Sequence, residues 1–266
     1  MELFHSGLPI FYHEETKELT FENELTCEGS SKKTVGQMVD LLKDGTRLQE
    51  EEYMYSAYRN IVFPHHKELL KQYDIRYDIT AIGPGTINGE YKKTSGHYHG
   101  YIDNEGLPYA EVYEVIKGEI LFILQKTMNF DHEEEPVIVR IRVIHAKAGQ
   151  SVIIPPFYGH GSINVTEETA MFSNLAVVSC PLLYEPIRAK HGLSVYIMKD
   201  RASYQVIPNK NYLYAPEAKV IEPVENKELG IEFGVSCYRN FINHPEKYDF
   251  LLHPSPYVES IEKMYQ

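Results

Sequence analysis

The sequence predicts a mainly β protein, an antiparallel sandwich or barrel with short helical additions at both ends. Three observations predict it. Between about residues 75 and 178 the chain runs through β-branched, apolar segments of strand length, separated by turn residues. No segment between them is suited to be the crossover helix of a parallel unit. Helix-like periodicity is confined to the two ends. The 266 residues suffice for one or two domains, and with 43% of them hydrophobic a core can be buried.

Taken in order, residues 1–30 mix short apolar pieces with acidic residues and read as a surface strand or two. "TVGQMVDLLK", 34–43, reads as a helix: Val35, Met38, Val39 and Leu42 share one face, and Thr34 with Gln37 makes a capping-box pattern. Residues 49–58 are also read as helical. "IRYDITAIGPG" alternates like a strand and ends in a turn signal, and "EVYEVIKGEILFILQK" is two strands broken at Lys117-Gly118. "PVIVRIRVIHAKAG", "SVIIPPFYGHGSINV" and "AMFSNLAVVS" continue the series, while "NFDHEEEP", 129–136, is a solvated hairpin tip. "HPEKYDFLLHPSPYVESIEKMY" suggests two short helices, each opening near a proline. The expected organisation is an N-terminal extension over 1–50, a barrel over 51–204, and a C-terminal extension over 205–266 that packs on the barrel or on a partner subunit.

Composition narrows the function classes. A formal net charge of −12 argues against nucleic acid, whose phosphates need Lys and Arg. An anionic small substrate would need local backbone N–H groups, hydroxyls or a metal. Three scattered cysteines without a CxxC do not form a disulfide framework and fit a reducing compartment. The N-terminus lacks the basic and apolar regions of a signal peptide, and no apolar run has membrane-spanning length. A soluble, cytoplasmic protein is the expectation.

The chemistry concentrates in "TSGHYHGYIDNEGLPYAEVYEVIKG", residues 94–118. In a strand, residues i and i+2 share a face, so His97 and His99 project together as imidazole donors suited to a divalent metal. Glu111 and Glu114 are three apart and face opposite ways, so both cannot easily be ligands.

Further motifs lie around this pair. Six residues separate Glu111 from Gly118. Downstream stand Gly149, Pro155, His160 and Asn164 in "GQSVIIPPFYGHGSIN". Together these resemble the paired motifs of the cupin superfamily: HxH, a spacer, Glu, six residues, Gly; then Gly, five residues, P-x-G, two residues, His, three residues, Asn. The stretches "DITAIGPGTINGEYKKTSGHYH", "AEVYEVIKGEILFILQ" and "VIIPPFYGHGSINVTEETAMFSNLAVV" resemble the cupin-type glucose-6-phosphate isomerases best known from archaea, over about residues 50–200. Three departures stand out. Tyr91 replaces an opening Gly, eleven residues separate His99 from Glu111 where three or four are usual, and Phe157 replaces the Gly of P-x-G.

The resemblance implies a cupin fold, the double-stranded β-helix or jelly-roll barrel. It implies one divalent metal per subunit, held by His97, His99, Glu111 and His160. Fe²⁺ or Mn²⁺ suits that donor set best, with Zn²⁺, Ni²⁺ and Co²⁺ as alternatives. It places Thr80, Thr94 and Gly96 at the phosphate end of a sugar phosphate, with Tyr58 as a further substrate contact. Tyr113 matches an active-site tyrosine. Glu111 is the candidate proton carrier, with a hydride shift as the other route. Leu182 falls where the family has a histidine, while Tyr184 is kept; Lys92 and Lys93 are read as a solvated face. The implied activity is glucose 6-phosphate to fructose 6-phosphate isomerisation by a homodimer that binds neither nucleic acid nor membrane. The alternatives are an isomerase or epimerase of another sugar, an Fe-dependent dioxygenase, and a non-catalytic sugar-binding cupin.

Overall fold

The computed structural model describes residues 1–132, 134–201 and 203–266. A hairpin, β1 (Ile10–His13) and β2 (Glu18–Phe21), precedes β3 (Thr26–Thr34). Next come β4 (Tyr53–Val62), helix α1 (Lys67–Gln72) and β5 (Ile75–Ile82). The short strands β6 (Thr86–Ile87), β7 (Glu90–Tyr91) and β8 (Tyr98–His99) lead to β9 (Glu111–Lys117) and β10 (Glu119–Thr127). β11 (Ile138–Lys147), β12 (Ser151–Ile154), β13 (Tyr158–Asn164) and β14 (Ala170–Val177) follow. The chain then passes through β15 (Leu182–Leu183), α2 (Glu185–Arg188), β16 (Val195–Asp200), β17 (Ser203–Pro208), β18 (Lys219–Ile221), α3 (Cys237–Asn243) and α4 (Val258–Lys263).

Two sheets form the barrel. One has the order β12-β9-β14-β5-β4-β3, the other β13-β10-β11-β18. Gly118, at φ 76°, turns the chain from β9 in the first sheet to β10 in the second. Its left-handed backbone and its 3.1 Å approach to the Ala170 Cβ both favour glycine there. Between the sheets, Phe122 of β10 packs against Tyr113 of β9 at 5.4 Å between ring centroids and meets Phe172 of β14 edge-on at 5.7 Å. This is the mainly β, cupin-type jelly roll with short helical additions that the sequence predicts. Among the described residues no helix is long and apolar enough to cross a membrane, and the three cysteines are free. The 129–136 segment lies between β10 and β11, and its residue 133 is outside the described residues.

The two N-terminal helix expectations fare differently: one is a strand, the other a shorter helix of 3₁₀ type. Residues 53–62 are not helical but form β4, paired with β3 on one side and β5 on the other. Tyr53, Tyr55, Ala57 and Arg59 alternate along it, so the period is two. Residues 36–41 form only a 3₁₀ helix, Gly36–Leu41. With three residues per turn, Val35, Met38 and Leu41 line up and are buried, while Val39 rotates outward and is exposed. A side chain at Gly36 would strike Glu50 at 2.9 Å, so the close approach there requires glycine, a residue poorly suited to an α-helix. Half of the capping box does form, as Thr34 N–H donates to Gln37 Oε1 at 3.1 Å. Lys92 and Lys93 are not on a solvated face. Lys92 Nζ donates to Tyr53 O at 2.7 Å and pairs with Glu52 at the start of β4, while Lys93 Nζ reaches Leu41 O and Glu90 and fastens the 3₁₀ segment to the barrel.

The C-terminal segment lies against the first sheet. Cys237, Tyr238, Phe241, Phe250, Ile261 and Tyr265 are buried in one core cluster with residues of β5, β9 and β14. Its two proline-led turns are a 3₁₀ helix, Pro245–Leu251, and α4. β3 continues the sheet across residue 50, so strand pairing does not stop at the expected boundary.

Candidate metal centre and its pocket

Backbone pairing brings the histidines together. His97 and His160 exchange both backbone hydrogen bonds, at 3.1 and 3.0 Å, which joins the segment before β8 to β13. The imidazole centroids of His97 and His160 are 4.4 Å apart, those of His99 and His160 4.9 Å, and those of His97 and His99 5.2 Å. Glu111, the first residue of β9, completes the group. One donor atom from each of His97, His99, Glu111 and His160 lies within 4.8 Å of the others.

The orientation of these donors fits a cation. His99 Nδ1 sits 2.9 Å from Tyr109 O and His160 Nδ1 3.2 Å from Tyr158 O. A carbonyl can only accept, so each Nδ1 carries the proton and each Nε2 keeps a lone pair on the side of the centre, that of His160 shared with the Tyr113 hydroxyl at 3.0 Å. Glu111 Oε1 accepts from Asn174 Nδ2 at 2.7 Å, which fixes the carboxylate. Glu111 Oε2 is buried without a hydrogen-bond partner, 3.2 Å from His99 Nε2 and 3.5 Å from His160 Nε2. Such an unsatisfied oxygen facing imidazole lone pairs is costly unless something positive stands between them. Burial raises the Glu111 carboxyl, while hydrogen bonding from the His160 and His99 rings outweighs it and holds it well below the usual range; a cation among the Nε2 atoms takes the place of those ring protons. Burial, with His160 and His99 adding to it, pushes His97 well below its ordinary value. Neutral imidazoles and an ionised carboxylate are the forms that bind a metal.

Residues 31–216 match the profile of the family described as "Glucose-6-phosphate isomerase (GPI)". The chain belongs to this family. Among curated relatives, the glucose-6-phosphate isomerase of Thermococcus litoralis is 28% identical over 142 residues, covering 53% of this chain and 66% of the relative. That of Pyrococcus furiosus is 26% identical over the same length, covering 53% and 67%. That of Thermococcus kodakarensis is 26% identical over 165 residues, covering 62% and 76%. The first of these matches thus spans slightly less than two thirds of its relative's length. Among solved structures, an oxalate oxidase is similar at 15% identity and a TM-score of 0.33, over 66% of this chain and 64% of that one.

Two departures from the family's motifs have local explanations. The long spacer is a loop that closes on itself: Ile102 N–H donates to Leu107 O at 2.9 Å and Tyr109 N–H to Gly100 O at 3.1 Å. Its neck therefore returns Glu111 to the histidines and supplies the carbonyl that orients His99. Phe157, which the resemblance sets against the Gly of the cupin second motif, holds φ 70°, a left-handed conformation that strains a side-chain-bearing residue by about 1–2 kcal/mol. Its ring meets Tyr101 from the spacer at 6.1 Å, and Tyr101 stacks on Phe130 at 5.7 Å. Leu182, at the position of the family's histidine, pairs with His99 between β15 and β8 and lines the pocket. Tyr184 lies beside His97, with centroids 5.4 Å apart. His191 is turned away, with Nδ1 3.1 Å from Asp40 O.

His97, His99 and Glu111 line one wall of a pocket of about 60 Å³ that opens to solvent, with the His160 donor atom within 4.8 Å of theirs. Thr80, Thr94 and Gly96 line it as well. Gly96 has φ 72°, and a side chain there would approach His160 O to 3.0 Å, so only glycine lets this backbone pass so close to the centre. Tyr113 directs its hydroxyl to His160 Nε2 at 3.0 Å. Tyr58 does not reach this pocket. It faces the N-terminal hairpin, where its hydroxyl accepts from Leu19 N at 3.2 Å. Alternation along β4 brings Tyr55 and Arg59 to the pocket instead. Glu114, on the other face of β9, accepts from Cys237 N at 2.9 Å. Pocket residues not found from the sequence include Tyr55, Arg59, Arg76 and Asn174. The Arg76-x-Asp78 spacing was a signal for one of them, since both side chains share a face of β5.

Proposed function

We propose that the chain is a metal-dependent aldose–ketose isomerase interconverting glucose 6-phosphate and fructose 6-phosphate. The observation that carries this reading is the convergence of three imidazoles and the unpartnered Glu111 oxygen at the edge of one pocket, in a chain of the GPI family. His97, His99, Glu111 and His160 are the residues that hold one divalent cation, with Fe²⁺ or Mn²⁺ best suited to the mixed nitrogen and oxygen set. When bound, the cation polarises the substrate carbonyl, which acidifies the carbon beside it.

The chain's own residues do the rest. Glu111, ionised and fixed by Asn174, carries the proton between C1 and C2 through Oε2. Tyr113 steadies the oxygens of the reacting carbons with a hydroxyl already directed into the centre. The hydroxyls of Thr80 and Thr94 and the open backbone at Gly96 receive the phosphate, and this remote grip orients the reacting end. The substrate opens its ring without a histidine at residue 182. The protein acts as a homodimer, paired through a sheet edge such as that of β3, whose outer residues are exposed. It works in the cytoplasm.

A coupled assay with fructose 6-phosphate tests the reading. Turnover lost to a chelator and restored by Fe²⁺ or Mn²⁺ is the expected result. No turnover, with oxygen uptake on another substrate, would assign the site to a dioxygenase. Turnover in deuterated water with label appearing at C1 or C2 supports Glu111 as proton carrier; complete absence of label would leave it a ligand only. Equilibrium sedimentation at twice the chain mass supports the dimer, and a monomer at assay concentration removes it.

A further inference from the structure

One feature of the pocket is not accounted for by the metal or by neutral hydroxyls. Arg59 of β4 and Arg76 of β5 both line it. Both bond the same carboxylate oxygen: Arg59 Nη1 donates to Asp78 Oδ2 at 2.7 Å and Arg76 Nε to the same atom at 2.9 Å. Asp78 is fully buried, and its other oxygen accepts from Asn60 N at 2.8 Å. One carboxylate thus holds two guanidinium groups and leaves a surplus positive charge. Each arginine has five N–H donors and spends one on Asp78. Neither makes another side-chain hydrogen bond or ion pair among the described residues. Their side chains are 41% and 26% exposed.

We propose that Arg59 and Arg76, splayed from Asp78, form a cationic clamp that grips the phosphate monoester of the substrate. The inference rests on the reading of the pocket as a sugar-phosphate site and adds the charge that reading lacked. A phosphate dianion entering a protein of net charge −12 meets unfavourable long-range potential, so a local cation must offset it. Among the described residues lining the pocket, these two side chains are the only lysines or arginines. Guanidinium forks match phosphate oxygens in pairs, and the buried Asp78 holds both forks in place before the ligand arrives. Thr80 sits two residues beyond Asp78 on the same face of β5, so its neutral donor stands next to the charged ones. The competing account is a structural triad that merely ties β4 to β5, and it predicts a different result.

The test uses the full chain loaded with Mn²⁺ and the non-reacting probe glucitol 6-phosphate, followed by calorimetry. Arg59→Met and Arg76→Met should each weaken the probe by about 10- to 100-fold while Mn²⁺ affinity is unchanged. Arg59→Lys and Arg76→Lys should lose less, and the salt dependence of binding should fall in the Met variants. Should a Met variant fail to fold, the Lys pair and the salt dependence of the wild type carry the decision. Unaltered probe affinity in folded variants, or equal loss of Mn²⁺ and probe, would overturn the clamp in favour of the structural triad. Wild-type protein that ignores glucitol 6-phosphate overturns it too. Wild-type protein that binds the probe through the arginines yet does not turn over fructose 6-phosphate would sink the isomerase reading and leave the clamp standing.

Discussion

Glu111 and Glu114 stand three residues apart on β9 and are both buried, yet they serve opposite sides of the sheet. Glu111 faces three imidazoles and a side-chain amide, and this polar surrounding holds it ionised. Glu114 faces the core beneath the C-terminal helix α3, where burial pushes its carboxyl up to about 8 despite hydrogen bonds from Cys237 and Ser173. Its Oε1 has no partner. Strand alternation alone thus separates an ionised carboxylate at the candidate metal centre from a neutral buried acid. Burial works on both; what differs is whether enough donors and positive charge stand opposite to outweigh it.

The sharpest way to break the comparison is to remove the ligand. Glu111→Ala should weaken Mn²⁺ by well over the ~100-fold that loss of an outer partner costs, and abolish turnover. Metal titration by calorimetry checks it, and unchanged affinity would refute the ligand set.

The neutral glutamate should announce itself through pH. Its folded value of about 8 lies above the unfolded value of 4.5, so the folded state binds the extra proton between them. Stability should therefore fall as pH rises from about 4.5 to 8, by roughly 5 kcal/mol in total, and then level off. Glu114→Gln, which keeps an acceptor for Cys237 N, should flatten that slope in denaturant titrations across the range. An unchanged slope would mean that Glu114 is ionised in the folded protein.

Asn174→Ala removes the amide that holds Glu111 from the side away from the histidines. Metal affinity should drop about 10- to 100-fold, with the melting temperature little changed. Equal loss of affinity and stability would make Asn174 a core residue first.

The smallest effect concerns the rim of the pocket. Phe157→Gly relieves the left-handed backbone but loses the ring on Tyr101. These opposing terms, each about 1–2 kcal/mol, should nearly cancel in thermal melts. The loop at 100–110 should then exchange its amides faster.

Much of the comparison was legible in the sequence, and the limits were physical. The Glu111–Glu114 separation follows from a period of two, and the strands from β5 to β14 carry strong β-branched runs. β4 was misread because "YMYSAYRN" offers no glycine, proline or clean polar alternation, and its strand state comes from pairing with partners distant in the chain. Tyr58 rests on the resemblance alone, and without β5 in place nothing in the sequence says which face of β4 is inside. Arg59 and Asp78 meet only after two strands align. Asn174 is one polar residue in an apolar strand, and its role appears only once β9 lies beside β14.

The contact between Phe157 and Tyr101 makes the two departures around the centre a single unit of inheritance. In a chimera that trades this spacer for the short version, Phe157 would keep its strained backbone and lose the ring that repays it. Restoring glycine at 157 alone would strip the long spacer of part of its aromatic anchor. Loop grafts between members of the family should therefore carry residue 157 and residues 100–110 as one cassette.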